Sequence, residues 1–242
     1  VREARYPTPM QFDNARVLVT GGGTGIGFET AKVLRAEGAA VVICGRRADV
    51  LHAAAAELGA TAIVADVAVE ADVIRLVAEA ERALGGLDVL INNAAFAYSA
   101  PLVEVDVERF RDVHATNVIG AMLVARECAR RFIAQGSGHI VNVASTAGSK
   151  GYPGGSAYAS SKFALTGLTE CWRAELRPHN VRVMQVNPSE VLTPFGGRDM
   201  ERATNPTKLR AAEVAHVIRA MLALDDRGFI TDATIFATNP RS

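Results

Sequence analysis

Short apolar runs alternate with longer stretches of helical periodicity from Arg16 almost to the end of the chain. Val17-Leu18-Val19 leads into a helical stretch over about Gly25–Glu37, and Val41–Cys44 into an alanine-rich helix near Asp49–Leu58. Ala62–Ala65 is followed by a helix over about Glu70–Leu84. Val89–Ile91 is followed, after a loop, by one long helix over about Asp106–Ala134. Ile140–Ala144 precedes a helix over about Tyr158–Leu176. Val181–Val186 precedes an irregular stretch, a helix near Ala211–Leu224 and a last strand around Ala233–Ala237. The strands are continuous apolar runs rather than alternating ones, as expected of a parallel sheet covered on both faces. Strand–helix alternation repeated this often predicts an α/β fold, a doubly wound parallel sheet of about seven strands with helices on both faces.

No linker or low-complexity stretch divides the pattern, so residues 16–242 are expected to form a single domain. Residues 1–15 are set aside as a flexible N-terminal lead. The chain opens on Val1 rather than Met, and either Met10 is the native start or the preceding residues are such a lead. The segment Thr193–Leu209 breaks the rhythm with its prolines, glycines and polar residues, and is expected to be a mobile lid beside the site. The 242 residues carry 26 basic and 26 acidic side chains, a balance that favours neither nucleic acid nor an anionic membrane as partner. No apolar run approaches the length of a membrane span. Cys44, Cys128 and Cys171 form no CxxC pair and read as reduced, mostly buried thiols of a cytoplasmic protein. His52, His114, His139, His179 and His216 are scattered without metal-ligand spacing, so no metal site is expected. Asp88, Asp106 and Asp112 read as helix caps or solvated residues.

The first candidate chemistry is a glycine-rich turn, Thr20–Gly27, lying directly between the first strand and the first helix. Gly21, Gly25 and Gly27 give the spacing GxxxGxG, in which glycine allows a tight turn, a close backbone approach to pyrophosphate and close helix–strand packing. Free N–H groups at the following helix start can then bind phosphate oxygens. Enzymes that use NAD place an acid after the second strand, where it binds the adenosine ribose. Here that region reads Cys44-Gly45-Arg46-Arg47. A guanidinium can form charge-assisted bonds to a 2′-phosphate, so NADP(H) is expected, with Arg46 the main contact and Arg47 secondary.

The second candidate is Tyr158-Ala159-Ser160-Ser161-Lys162, a YxxxK arrangement that sets tyrosine and lysine one helical turn apart on one face. A lysine so placed favours tyrosinate, and the phenol can then exchange a proton with a carbonyl or alcohol oxygen. Ser145, at the end of the run Ile140–Ala144, can hydrogen-bond the same oxygen. No GxSxG elbow accompanies Ser145, which argues against a Ser-His-Asp hydrolase.

Taken together, Thr20–Gly27, Asn92-Asn93-Ala94-Ala95, Asn117, Ser145 and Tyr158/Lys162 resemble the short-chain dehydrogenase/reductase family in order and spacing, over about Arg16 to Pro240. Within it the chain looks most like the carbonyl reductases and the 3-oxoacyl-[acyl-carrier-protein] reductases. The resemblance implies a Rossmann-type domain that moves a hydride between NADPH and a ketone, aldehyde or 3-oxoacyl thioester. It implies that Ser145 polarises the carbonyl, Tyr158 is the general acid/base, and Lys162 binds the nicotinamide ribose. Asn117 would hold a water in a proton relay. The cofactor would meet Gly21, Gly23, Thr24, Gly25, Ile26 and Gly27 at its pyrophosphate. Asp66 and Val67 would lie by the adenine, Asn93, Ala94 and Ala95 along its edge, and Pro188, Ser189, Val191 and Thr193 by the carboxamide. A homo-oligomer, dimer or tetramer, pairing through the long helices, would also follow. Three departures are Ala95 where the family has glycine, Pro188-Ser189 where it has Pro-Gly, and a tail, Phe229–Ser242, without the common Gly-Gly. Phe96, Tyr98, Tyr152, Pro153 and Phe195 suggest partly apolar pocket walls, and Glu190 faces either the site or solvent. A non-catalytic NADP(H)-binding sensor or scaffold on the same fold is the alternative; turnover distinguishes the two.

Overall fold

Seven parallel strands form the central sheet: β1 (Arg16–Thr20), β2 (Ala40–Gly45), β3 (Thr61–Val64), β4 (Val89–Asn92), β5 (Gly138–Val143), β6 (Val181–Pro188) and β9 (Asp232–Ile235). Their order across the sheet is β3-β2-β1-β4-β5-β6-β9, so the chain reverses its winding between β1 and β4. The protein is described from a computed structural model that covers residues 12–193, 195, 207–225 and 227–238. The remaining helices are α1 (Gly25–Ala36), α2 (Ala48–Leu58), α3 (Glu70–Leu84), α4 (Val107–His114), α5 (Ala121–Gln135), α6 (Ser156–Leu176) and α7 (Ala211–Leu222).

Alternate residues of each strand feed two cores. Val17, Val19, Val41, Ile43, Val89 and Ile91 point toward a layer that includes α1, α2 and α7. Leu18, Val42, Leu90, Ile140 and Val183 point toward a layer that includes α3 and α5. All but Val41 of these are fully buried, and each such side chain contributes roughly 1.5–3 kcal/mol through its burial. That two-sided demand is why the strands carry almost no alternation in the sequence.

The structure departs from the sequence reading in several places. Of the lead assigned to residues 1–15, residues 1–11 lie outside the described residues, whereas Phe12 and Ala15 are buried in the first core. Ala40 donates its N–H to the Ala15 carbonyl at 2.8 Å, which extends the β1–β2 ladder backwards. The single helix expected over Asp106–Ala134 is interrupted by a wide π turn at Ala115–Gly120. Gly120 lies against the Val67 carbonyl, and a Cβ there would stand 2.9 Å from that oxygen, so the turn fits only with glycine. The last strand covers Asp232–Ile235 instead of reaching Ala237, and α6 begins two residues before Tyr158. A two-residue parallel pair was not foreseen: β7 (Val191–Leu192) with β8 (Leu209–Arg210). Asp106 caps α4 by accepting from Arg109 N at 2.8 Å. Asp88 is neither a cap nor a solvated residue. It accepts from Arg16 Nε at 2.8 Å and Nη2 at 2.6 Å. Burial opposes its ionisation, but the bonds from Arg16 outweigh this and hold the carboxyl below its ordinary range. Cys44 and Cys128 are buried, and Cys171 is exposed on α6.

Candidate active site

The carboxyl ends of β1, β2, β4, β5 and β6 open onto a cleft of about 1260 Å³. At its floor, Gly21 adopts the left-handed conformation (φ 65°), and a Cβ there would approach Asn93 Nδ2 to 2.9 Å. Gly27 is not part of the lining. It sits beneath, where a Cβ would stand 2.4 Å from the Gly21 carbonyl, and so it lets α1 pack onto the turn. Gly21, Gly23, Thr24, Gly25 and Ile26 line the cleft. Thr24 makes no side-chain cap bond, and the first turn of α1 holds no acidic residue. The leading N–H groups of a twelve-residue helix therefore meet the cleft with no competing side chain. This floor fits a dinucleotide pyrophosphate.

Thr20, which the sequence reading placed in the turn without a role of its own, fastens it to the segment after β4. Its hydroxyl accepts from Asn93 N and Ala94 N, both at 2.9 Å. Asn93 Nδ2 in return donates to the carbonyls of Thr20 (2.9 Å) and Gly21 (3.2 Å). Asn93, Ala94 and Ala95 line the cleft. A threonine closing an apolar strand next to a glycine turn was the available signal.

Arg46, Arg47, Asp66 and Val67 gather at the far end of the cleft. Arg46 Nη1 stands 3.6 Å from Asp66 Oδ2, with the arginine side chain 60% exposed. Asp66 Oδ1 accepts from Ala68 N at 3.0 Å, and Asp66 N donates to Asp72 at 2.9 Å, which fixes the aspartate while the guanidinium stays accessible. Cys44 also lines this end. Burial pushes its thiol up to about 12, so it serves as a neutral wall.

At the other end, Ser145 follows β5, and its Oγ accepts from Ala147 N (3.1 Å) and donates to the Pro188 carbonyl (3.4 Å). Tyr158 and Lys162 face the same cleft from α6. Lys162 is 3% exposed; its Nζ donates to the Val143 carbonyl at 2.8 Å and lies 5.6 Å from the centre of the Tyr158 ring. Burial pushes the ammonium down to about 8. Phe195 meets the Tyr158 ring edge-on at 5.7 Å. The rest of the expected lid lies largely outside the described residues. Pro188, Ser189, Val191 and Thr193 line the cleft, with Ser189 N donating to Ile235 O at 2.8 Å. Ser189 is not among the positive-φ residues, so the serine in place of glycine is unstrained.

Asn117 does not reach the cleft lining. Its amide accepts from Phe96 N and donates to Phe96 O, both at 3.0 Å, and donates to Ser161 Oγ at 3.0 Å. Its side chain, carried on the π turn, thus clamps the loop after β4 to α6. Phe96, Tyr98 and Tyr152 belong to the lining, as does Phe236, which the sequence reading missed; Pro153 does not. Glu190 faces the cleft and pairs with Lys208 at 2.8 Å. Among the described residues no cluster of His, Cys, Asp or Glu could hold a metal, and no helix is long and apolar enough to cross a membrane.

The chain matches the family model described as short chain dehydrogenase over residues 15–203. It belongs to the short chain dehydrogenase family. Among curated relatives of this dehydrogenase, the L-xylulose reductase of Bos taurus is 38% identical over 89% of the chain and 91% of the relative. The carbonyl reductase [NADPH] 2 of Sus scrofa is 36% identical over 96% of the chain and 92% of the relative. A solved 3-ketoacyl-(acyl-carrier-protein) reductase from Brucella melitensis, complexed with NADH, superposes with a TM-score of 0.86 at 28% identity, over 94% of this chain and 98% of that one. As a short chain dehydrogenase the protein is a nicotinamide-dependent oxidoreductase acting on CH–OH or carbonyl groups.

Proposed function

We propose that this dehydrogenase is an NADPH-dependent reductase of ketones, aldehydes or 3-oxoacyl thioesters, with Tyr158 as general acid/base. The observation that carries the reading is the convergence of Ser145, Tyr158 and the buried Lys162 at one end of a cleft whose other end presents Arg46 and Arg47. The bound nicotinamide supplies the hydride. The chain's own groups do the rest. Ser145 Oγ orients the carbonyl oxygen, and the Tyr158 hydroxyl gives that oxygen a proton. Lys162, held by the Val143 carbonyl, places a positive charge near the Tyr158 ring and favours loss of the phenolic proton. Arg46 is the group suited to a 2′-phosphate, since arginines and not a carboxylate directly follow β2 and its guanidinium is accessible.

The pH dependence follows from the buried lysine. Below about 8 the ammonium is present, and above it the charge that supports Tyr158 is lost. Carbonyl reduction and alcohol oxidation are both expected to weaken as pH rises through about 8, because each passes through an ionised Tyr158 that the ammonium supports. A pH–rate profile flat across that range in both directions would remove Lys162 from the relay. Assembly is read from the outer faces of α5, its preceding turn and α6, where Ile119 and Phe163 are exposed. A cytoplasmic homodimer or tetramer pairing there is expected, and size-exclusion chromatography at a monomer's volume would contradict it. The reaction itself is tested by following NADPH and NADH oxidation side by side against a panel of ketones, aldehydes and acyl thioesters. Turnover with NADPH supports the reading; cofactor binding without turnover on any substrate would point to a sensor.

A further inference from the structure

Helix α6 spans 21 residues yet buries few large apolar side chains, chiefly Leu165 and Leu176. Its sheet-facing stripe is polar instead. Tyr158, Lys162, Thr166, Thr169 and Arg173 recur every three or four residues and so share one face. The four after Tyr158 each bond to the sheet. Lys162 Nζ donates to Val143 O on β5, and Arg173 Nε donates to Val183 O on β6 at 2.9 Å. Between them, the Thr166 hydroxyl donates to Lys162 O (3.1 Å) and accepts from Gln185 Nε2 (3.2 Å). The Thr169 hydroxyl donates to Leu165 O (2.7 Å) and accepts from Asn142 Nδ2 (2.8 Å). Asn142 Oδ1 accepts in turn from Asn92 Nδ2 (3.2 Å), which also donates to Ala121 O (2.9 Å) at the start of α5. Asn92, Asn142, Thr169 and Gln185 are each no more than 4% exposed.

We propose that this polar seam sets the axial height of α6 on the sheet, and that Thr166 and Thr169 are positioning residues for the reaction at Tyr158 and Lys162. Apolar burial is non-directional and leaves a helix free to slide, whereas hydrogen bonds hold only at one height. A slip of one residue moves the helix by about 1.5 Å and breaks every rung together. Tyr158 and Ser145 sit on different elements, α6 and the end of β5, so their separation depends on that height. A misplacement of about 1 Å is enough to lower turnover by roughly 100-fold. An apolar group of equal size at Thr169 removes the acceptor of the buried Asn142 amide, and one at Thr166 releases Gln185 Nε2 to its other partner, Asn187 Oδ1 at 2.8 Å, so either change cuts a tie between helix and sheet.

The inference rests on the reductase reading, and its test keeps the two apart. In the double variant Thr166→Val/Thr169→Val, kcat for carbonyl reduction by NADPH is expected to fall roughly 10- to 100-fold. NADPH affinity, measured by fluorescence titration, is expected to stay unchanged because the floor of the cleft is untouched. Restoring Thr169→Ser in the Thr166→Val background should recover most of the lost kcat. Should the double variant fail to fold, Thr166→Val alone, at a half-buried position, is expected to lower kcat, and Thr166→Ser to leave it intact. A folded valine variant whose kcat equals that of the wild type overturns the proposal, whatever its melting temperature. Wild-type protein without turnover on any carbonyl would sink the reductase reading and this proposal with it; wild-type turnover with unaffected variants sinks only the proposal.

Discussion

Replacing Tyr158 with phenylalanine is expected to lower turnover by about 10²–10⁴-fold, the usual worth of a positioned general acid. The ring stays, so its edge contact with Phe195 and its place in front of Lys162 are retained. What is lost is the hydroxyl alone. NADPH should therefore bind as before, because the glycine turn, Thr20, Asn93 and Arg46 are all distant from the change. Steady-state kinetics beside fluorescence titration of the cofactor checks both halves. Turnover near that of the wild type would show that the proton comes from elsewhere and would end the mechanism set out above.

The second large effect is expected at the opposite end of the cleft. Arg46→Asp should weaken NADPH binding by about 10- to 100-fold, from the loss of a charge-assisted bond to a 2′-phosphate. The substitution also places a second carboxylate near Asp66, which already stands 3.6 Å from the arginine. Two acids there repel a phosphate and accept from ribose hydroxyls, so NADH should gain relative to NADPH. The ratio of kcat/KM for the two cofactors is the measurement. A ratio unchanged by the substitution would show that Arg46 is a solvated side chain and that the preference, if any, is set elsewhere.

Much of the architecture was legible because its physics is local. A strand buried on both faces must be apolar throughout, and runs such as Val17-Leu18-Val19 announce it. The glycine turn and the Tyr158/Lys162 pair were legible for the same reason, since each is defined by spacing within one turn or one helix. Other features depend on contacts between distant segments. The π turn at Ala115–Gly120 keeps a helical pattern of side chains, and the approach of Val67 that requires glycine at its end comes from a distant segment. The Asn117 amide bonds Phe96 and Ser161, partners 21 and 44 residues away, which no spacing within its own helix could announce. The pairing of β7 with β8 involves two residues from each strand, too few to leave a pattern. Thr166, Thr169 and Arg173 have the composition of a solvated helix face but turn toward the sheet, where Gln185, Asn142 and the Val183 carbonyl receive them.

Because the strands all run the same way, Asn93, Ser145 and Ser189 all lie past the carboxyl ends of β4, β5 and β6, with the bulk of both apolar layers below them. Chemistry and scaffold are thereby separable. The segments after β4 and β5 that carry Phe96, Tyr98 and Tyr152 can change shape so long as the anchors of the first, the Asn117 clamp on Phe96 and the packing of Tyr98 on Val113 and Ala157, are kept. An altered appetite for substrates is accordingly a matter of re-cutting the rim, with hydride delivery left as it is.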